Sequence, residues 1–366
     1  MQDILIAGGG PTGLMAGAEA ARSGAEVLIL EEHGEIGFPD HCAGLVSTTG
    51  LNAIASSGNF ILNRIRGARI FAPSGIAYEV FGKLTKAAII DRPKFDKELL
   101  RQAESAGVEV QAGMPFDPTI GRKITIIAEG TSARLTRRFG FKVPKSIPAV
   151  QLDLEKVDFE RDMVELHFGN WAPGFFAWVV PRKEGVRIGL AAYEGVPKQL
   201  LDKMMLKNEH FRVLASGARI SKPLFGKVVV GGPSKRTAIA DALVVGDAGG
   251  FVKPTTGGGV ILGCLTAKAA GRAAASAVRE EIPLSSFEAT WRKAYGKEFM
   301  IMGIARDVLR NMTAIEMERA LEELKKINLL DSLLGYDMDL QGSAVGRVIR
   351  SRLARHAIIP LLRSFF

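Results

Sequence analysis

Two glycine-rich stretches hold the residues whose types and spacing could do chemistry. The first, GGGPTG, runs from Gly8 through Gly10, Pro11 and Thr12 to Gly13. It follows the apolar run Ile4–Ala7 and precedes an alanine-rich segment, Leu14 to Ser23, that Gly24 ends. Glycines at G-x-G-x-x-G spacing between a strand and a helix let the backbone approach a pyrophosphate, which the unpaired N–H groups of the helix N-terminus can bind. A second strand pattern, Val27–Leu30, stops at Glu31, with Glu32 beside it. An acid about twenty residues past the glycines is placed to accept hydrogen bonds from adenosine ribose hydroxyls.

The second stretch, LVVGDAGGFVKPTTGGGVILGCLTAKAAG, spans Leu243 to Gly271. Apolar strand residues lead to Asp247, and Gly257, Gly258 and Gly259 stand before Val260 at the mouth of another small-residue helix. A tight strand-to-helix turn is one reading of these glycines. A flavin site is the other: Asp247 can hold ribityl hydroxyls, and the helix N-terminus can face the ring edge that becomes negative on reduction. One dinucleotide fingerprint does not separate FAD from NAD. The second stretch, together with the lack of a second fingerprint, predicts FAD.

These sites need elements to hold them. The chain has 366 residues, 47% hydrophobic and 24% charged, enough to bury a sizeable core in two joined lobes. The net charge of +9 favours phosphorylated ligands or an anionic surface as partners, while three Trp and four Tyr without a stacking cluster argue against nucleic acid. Cys42 and Cys264 form no C-x-x-C pair, and the five histidines share no metal-ligand spacing, so no metal is expected. A strand with a glycine turn begins at once, which speaks against a secretion signal, and no apolar run reaches the length of a membrane span. A cytoplasmic location is expected.

The expected fold class is α/β: a Rossmann-type FAD-binding lobe, an inserted antiparallel β-sheet substrate lobe and a helical C-terminal region. The flavin lobe is discontinuous, drawn from residues 1–48, 84–140 and 225–282. Alternating runs from Arg66 to Val80 and from Ala149 to Ala192 predict one antiparallel sheet inside the substrate lobe, residues 49–83 and 141–224. Residues 283–366 read as helical and charged.

The two glycine stretches together resemble the FAD-dependent geranylgeranyl reductase family, within the larger group shaped like p-hydroxybenzoate hydroxylase. Further segments join them. FPDHCAGLVS (Phe38 to Ser47) looks like the family's Cys-x-Gly segment beside the flavin, which assigns Cys42, Ala43 and Gly44 to the cofactor. FAPSG (Phe71 to Gly75) is similar to its Pro-x-Gly hairpin, IIDRPKFDKELL to its Asp-Arg-x-x-Phe-Asp helix, and GGPSKRT to the segment before the ribityl-binding Asp. APGFFAWVVPRKEGVRIGLA resembles the aromatic-x-Trp-x-x-Pro strand of the substrate lobe, which assigns Phe176, Trp178 and Pro181 to substrate. By the same resemblance Arg92 contacts flavin; a surface salt bridge is the alternative. Cys42 is a proton donor or redox-active thiol, or else a buried small hydrophobe. Phe176 and Trp178 also read as sheet core lining a cavity, and Cys264 as helix packing.

Two places depart from the pattern. AEGTSARLTRRFG has Glu129 followed by Gly130 where the larger group often has Asp-Gly, and Ala133 at the aligned Ser; Glu129 keeps the charge. The family's Tyr-x-Trp-x-Phe-Pro is here Phe176, Trp178, Val180, Pro181, so a proton-donor role for that phenol does not carry over.

The resemblance implies saturation of geranylgeranyl double bonds on a prenyl phospholipid precursor or prenyl diphosphate. A monooxygenase of the same fold and a prenyl-lipid-binding flavoprotein without turnover are the alternatives. The electron donor is either a ferredoxin-like protein or a reduced nicotinamide. Finally, Gly342 to Phe366 holds five arginines and no acid among apolar residues at helical spacing. This is either a helix docked on the core or a peripheral contact with anionic membrane.

Overall fold

The computed structural model describes residues 2–55, 58–332, 335–342 and 344–346. A five-stranded, all-parallel sheet forms the first lobe. Its order is Ala242–Val244, Arg122–Ile127, Gln2–Ala7, Val27–Glu31, Glu109–Ala112. These strands are nearly continuous apolar runs because both faces are covered; Ile4, Leu5, Ile6 and Ile29 are fully buried. The fingerprint helix, Pro11–Arg22, starts three residues earlier than its alanine pattern predicts, since proline is tolerated in a first turn. It packs on the helix Val260–Val278, so closely that a methyl group at Gly271 would lie 2.2 Å from the Ala16 carbonyl oxygen.

The second lobe is built on an eight-stranded sheet. Along its main path the order is Arg219–Ile220, Ser146–Glu155, Gly185–Ala191, Ala177–Arg182, Met163–His167, Gly67–Phe71, Ala77–Phe81. The expectation of a purely antiparallel sheet needs correction: Gly67–Phe71 and Met163–His167 pair in parallel. These two strands are far apart in the chain, so no tight hairpin forces them antiparallel. Residues 225–229, expected in the flavin lobe, belong instead to the strand Leu224–Val229, which pairs with Ser146–Glu155. A small sheet of Leu45–Ser47, Ala87–Ile90 and Ile61–Ile65 stands apart from both.

The large sheet divides its side chains by the period of two. One face carries Leu152, Val179, Val186 and Ile188 into a core closed by Leu201, Met204 and Phe211 of the helices Pro197–Lys207 and Glu209–Leu214. On that face the fold also gathers residues the sequence leaves scattered. His167 and His210 both lie against Glu165, a meeting that their spacing along the chain does not show.

The helical region begins with Ser286–Asn311, whose Phe287, Trp291 and Phe299 ring Phe251 of the second glycine stretch. Ala314–Lys326 follows, opened by a capping box between Thr313 and Glu316. Residues 339–342 return to the glycine stretch. Asp339 accepts from Ser47 Oγ and, at 2.8 Å, from Lys253 Nζ, while Thr255 Oγ1 donates to Gln341 Oε1 at 2.5 Å. Most of the basic, apolar tail, including all five of its arginines, lies outside the described residues.

Candidate active site

The first glycine turn divides its labour. A methyl group at Gly13 would lie 2.0 Å from the Gly8 carbonyl oxygen, and one at Gly8 would lie 2.4 Å from that of Ala128. Those two positions close the turn. At Gly10, by contrast, a methyl group would meet nothing within 4 Å. Gly10 is the N-cap of Pro11–Arg22; no side chain caps the helix there, and its first turn holds no acid. An open cradle before an uncapped helix N-terminus fits a pyrophosphate. Glu31 Oε2 accepts from the Gly9 N–H at 2.7 Å, and Oε1 from the His33 N–H at 2.9 Å, which sets this carboxylate against the turn. Glu32 points elsewhere, pairing with Arg134 at 2.5 Å.

Glu129 is occupied by its own loop. It accepts from the Arg134, Leu135 and Thr136 N–H groups and from the Ser132 and Thr136 hydroxyls. Burial pushes its pKa up, but those hydrogen bonds outweigh burial and leave it below the usual range. The loop they hold includes Ala133 at φ +61°, an uncommon conformation for a residue with a Cβ. Any cofactor contact here therefore falls to the backbone of Glu129 and Gly130 rather than to the carboxylate.

In the second stretch, Asp247 sits on a four-residue helix, Gly246–Gly249, directly after the strand Ala242–Val244. Burial raises its pKa, with Arg92 acting in opposition. Among the described residues no protein group donates a hydrogen bond to its side chain. Gly257 turns out to be demanded by the chain's own packing, and the two glycines after it are crowded by side chains. A methyl group at Gly257 would lie 2.0 Å from Val228 Cγ1, one at Gly258 2.8 Å from Lys253 Cε, and one at Gly259 2.6 Å from Asp247 Oδ1. Val260–Val278 then starts without a side-chain cap or a first-turn acid. An unpartnered, half-buried acid beside an open helix N-terminus suits a ligand with hydroxyls and a developing negative charge, as FAD has.

Between the two stretches lies a charged cluster. Arg92 Nε and Nη2 donate to the two oxygens of Asp96 at 2.9 and 2.8 Å, a part-buried pair one helical turn apart rather than a surface salt bridge. Burial opposes the Arg92 charge, but Asp96 first and the Cys42 thiol second raise its pKa well above the ordinary value. Cys42 is half-buried, and its Sγ also accepts from the Gly44 N–H at 3.4 Å. Gly44, at φ +83°, would carry a methyl group 2.6 Å from the Ile90 carbonyl oxygen. Ala43 packs against the small apolar cluster that includes Ile89 and Val180. Cys264 is fully buried in its helix, its thiol pushed up to about 12 by desolvation.

Sequence reasoning missed the anchor of this segment. Arg187, 3% exposed, donates to both oxygens of Asp153 at 2.7 and 2.9 Å, to Asp40 at 3.0 Å and to the Cys42 carbonyl at 2.6 Å. The one available signal was Arg187, the one charged residue in the strand Gly185–Ala191.

The sheet face opposite the helices carries Trp178 and Val180, with Phe176 just before the strand. Trp178 stands edge-on to Phe176, centroids 6.3 Å apart, and lies over Gly189, where a methyl group would strike its ring at 2.6 Å. Val228, which abuts Gly257, joins the same apolar cluster. Pro181 does not belong to this wall. It pairs with Val186 on the helix-covered face, because residues 178 and 181 point to opposite sides of the sheet. The indole Nε1 of Trp178 and the amide Nε2 of Gln151 are buried without partners among the described residues.

Comparison with known proteins agrees with this geometry. The sequence pattern of the FAD dependent oxidoreductase family matches residues 3–126. Digeranylgeranylglycerophospholipid reductase 2 of Methanopyrus kandleri is 30% identical over 376 residues, covering 92% of this chain and 93% of its own. The protein of the same name from Methanothermobacter thermautotrophicus is 31% identical, covering 91% and 96%. Among solved structures, a geranylgeranyl bacteriochlorophyll reductase-like protein from Thermoplasma acidophilum superposes with a TM-score of 0.86 at 22% identity, covering 99% of this chain and 98% of its own. The flavin-dependent brominase Bmp2 shares the fold at a TM-score of 0.71 and 16% identity, covering 99% of both chains. The cofactor is FAD, and the chain belongs to the digeranylgeranylglycerophospholipid reductase family of FAD-dependent oxidoreductases.

Proposed function

We propose that this enzyme saturates isoprenoid double bonds of geranylgeranyl chains carried on a phospholipid precursor, such as digeranylgeranylglyceryl phosphate, or on geranylgeranyl diphosphate. Reduced FAD, when bound, supplies the hydride that one alkene carbon receives while the other gains a proton. The residues that would hold it are Gly8–Gly13 and Glu31 at the dinucleotide end, and Arg92, Asp247 and the Gly257–Val260 turn at the ribityl and ring end. Cys42, with its thiol against Arg92, is the group we place at proton delivery.

The single observation that carries this reading is the apolar wall of Phe176, Trp178 and Val228 reaching the glycine turn at Gly257. An isolated trisubstituted alkene is not polarised, so the site must offer water exclusion and alignment more than electrostatic clamping. The deciding experiment reduces the FAD-loaded protein with dithionite without oxygen and offers a prenyl lipid. A gain of two hydrogens per bond supports the reductase. Product that requires oxygen assigns a monooxygenase, and bound, unchanged lipid assigns a carrier.

Two partner assignments rest on sequence chemistry. The physiological donor is a low-potential carrier, a ferredoxin-like protein or a reduced nicotinamide. The basic tail beyond Gly342 lies on anionic membrane at the entry route of the lipid, its arginines meeting head-group phosphates. None of the described helices is long and apolar enough to cross a membrane. Truncation after Gly342 should lower binding to anionic vesicles while leaving flavin content and turnover of detergent-solubilised lipid in place.

A further inference from the structure

On the helix-covered side of the large sheet, away from Trp178, three ligand atoms of Glu165, His167 and His210 lie within 4.8 Å of one another. Both imidazole Nε2 atoms converge on one carboxylate oxygen, Glu165 Oε2, at 3.1 Å from His167 and 2.7 Å from His210. Glu165 is 1% exposed and His167 3%, whereas the His210 side chain is 36% exposed and leaves one side open to water. We propose that this cluster is a binding site for a divalent first-row transition metal ion of the zinc class, with Glu165, His167 and His210 as protein ligands and water completing the set.

The donor chemistry is suitable: two imidazole nitrogens and one carboxylate are a ligand set that zinc accepts, with a fourth position free. The surroundings also fit. Phe71 stacks on His167 at 4.1 Å and 8°, and Phe211 packs on both imidazoles, so apolar rings fix the ligand orientations. Arg69, 3.7 Å from Glu165 Oε1, is itself paired with Glu79 at 2.6 Å and Glu160 at 2.5 Å. Three carboxylates surround one guanidinium, which leaves two negative charges for a divalent cation to answer. Such an ion would fasten Glu209–Leu214, through His210, to the strand Met163–His167 and stiffen the sheet from behind. The role is structural, and it does not depend on which substrate the opposite face binds.

The test uses full-length, FAD-loaded protein freed of metal with a chelator and dialysed against zinc ions. About one equivalent should bind through this site, and affinity should fall about tenfold or more in His210→Ala. His210→Gln is the second variant, since it keeps a hydrogen-bond donor toward Glu165 but loses the azole ligand. Zinc should raise the Tm of the parent protein and not of either variant. Zinc affinity and Tm response that are the same in parent and His210→Gln would overturn the proposal and leave a purely hydrogen-bonded cluster.

Discussion

Arg187 Nη1 reaches across 145 residues of sequence to donate a 2.6 Å hydrogen bond to the carbonyl oxygen of Cys42. Through it the large sheet grips the segment that presents Cys42 to Arg92, and so joins the substrate wall to the flavin lobe. Burial works against the Arg187 charge, but Asp153 and Asp40 more than compensate and raise its pKa.

Removing this guanidinium should therefore cost more than a hydrogen bond. Arg187→Met leaves the half-buried Asp153 without its counter-charge and Asp40 with Arg182 alone, at 3.5 Å, a loss of about 1–3 kcal/mol. Urea denaturation monitored by circular dichroism would measure it. A change below about 1 kcal/mol would show that the carboxylates find other partners or water.

The glycine turn separates folding from cofactor binding. Gly10→Val projects into open space and should fold normally while purifying without flavin, because the side chain fills the pyrophosphate cradle. Gly13→Val drives a side chain into the Gly8 carbonyl and should lower both flavin content and Tm. Flavin absorbance per protein, read beside a thermal melt, distinguishes them. A yellow Gly10→Val protein would remove the cradle from the binding site.

The Glu129 clasp predicts an acid-sensitive stability. Its folded pKa lies below the usual carboxylate value, so the stabilisation is fully present above about pH 4.5 and is lost as pH falls through the folded pKa. Glu129→Gln should be less stable than the parent at neutral pH, by about 0.5–2 kcal/mol as for loss of a helix cap. The difference should shrink as the solution is acidified toward pH 3. A constant gap between pH 7 and pH 3 would mean that the carboxylate's charge is not what holds the loop.

How much of this was legible in the sequence depended on distance along the chain. The fingerprint, with its strand, turn, helix and acid, is local and readable because each part fixes the conformation of the next. Arg92 and Asp96 are one helical turn apart, so their pairing also lies within reach of spacing rules. Arg187 with Cys42, and His210 with Glu165, meet only because a distant loop and a distant helix pack on the large sheet, and no local pattern encodes a parallel pairing between residues 67–71 and 163–167. The glycine triplet was visible, but not the full reason for it. Val228, Lys253 and Asp247 occupy the spaces its missing side chains leave, so the turn is packed by the protein as well as being suited to a flavin.

Trp178 provides the sharpest test of the apolar wall. Its ring lies over Gly189 and edge-on to Phe176, while its Nε1 finds no partner among the described residues, an arrangement that favours shape over polar contact. None of these neighbours belongs to the glycine turns, so Trp178→Ala should retain flavin. Turnover of long prenyl chains should fall about tenfold or more, because lost wall area admits water and loosens alignment of the alkene. Trp178→Phe, which restores most of the apolar surface without the indole N–H, should recover most of that loss. If Trp178→Phe remains as slow as Trp178→Ala, Nε1 makes a polar contact to substrate that apolar area does not replace. If Trp178→Ala loses FAD in proportion to activity, the residue belongs to the structural core, and the wall is set by Phe176 and its neighbours instead.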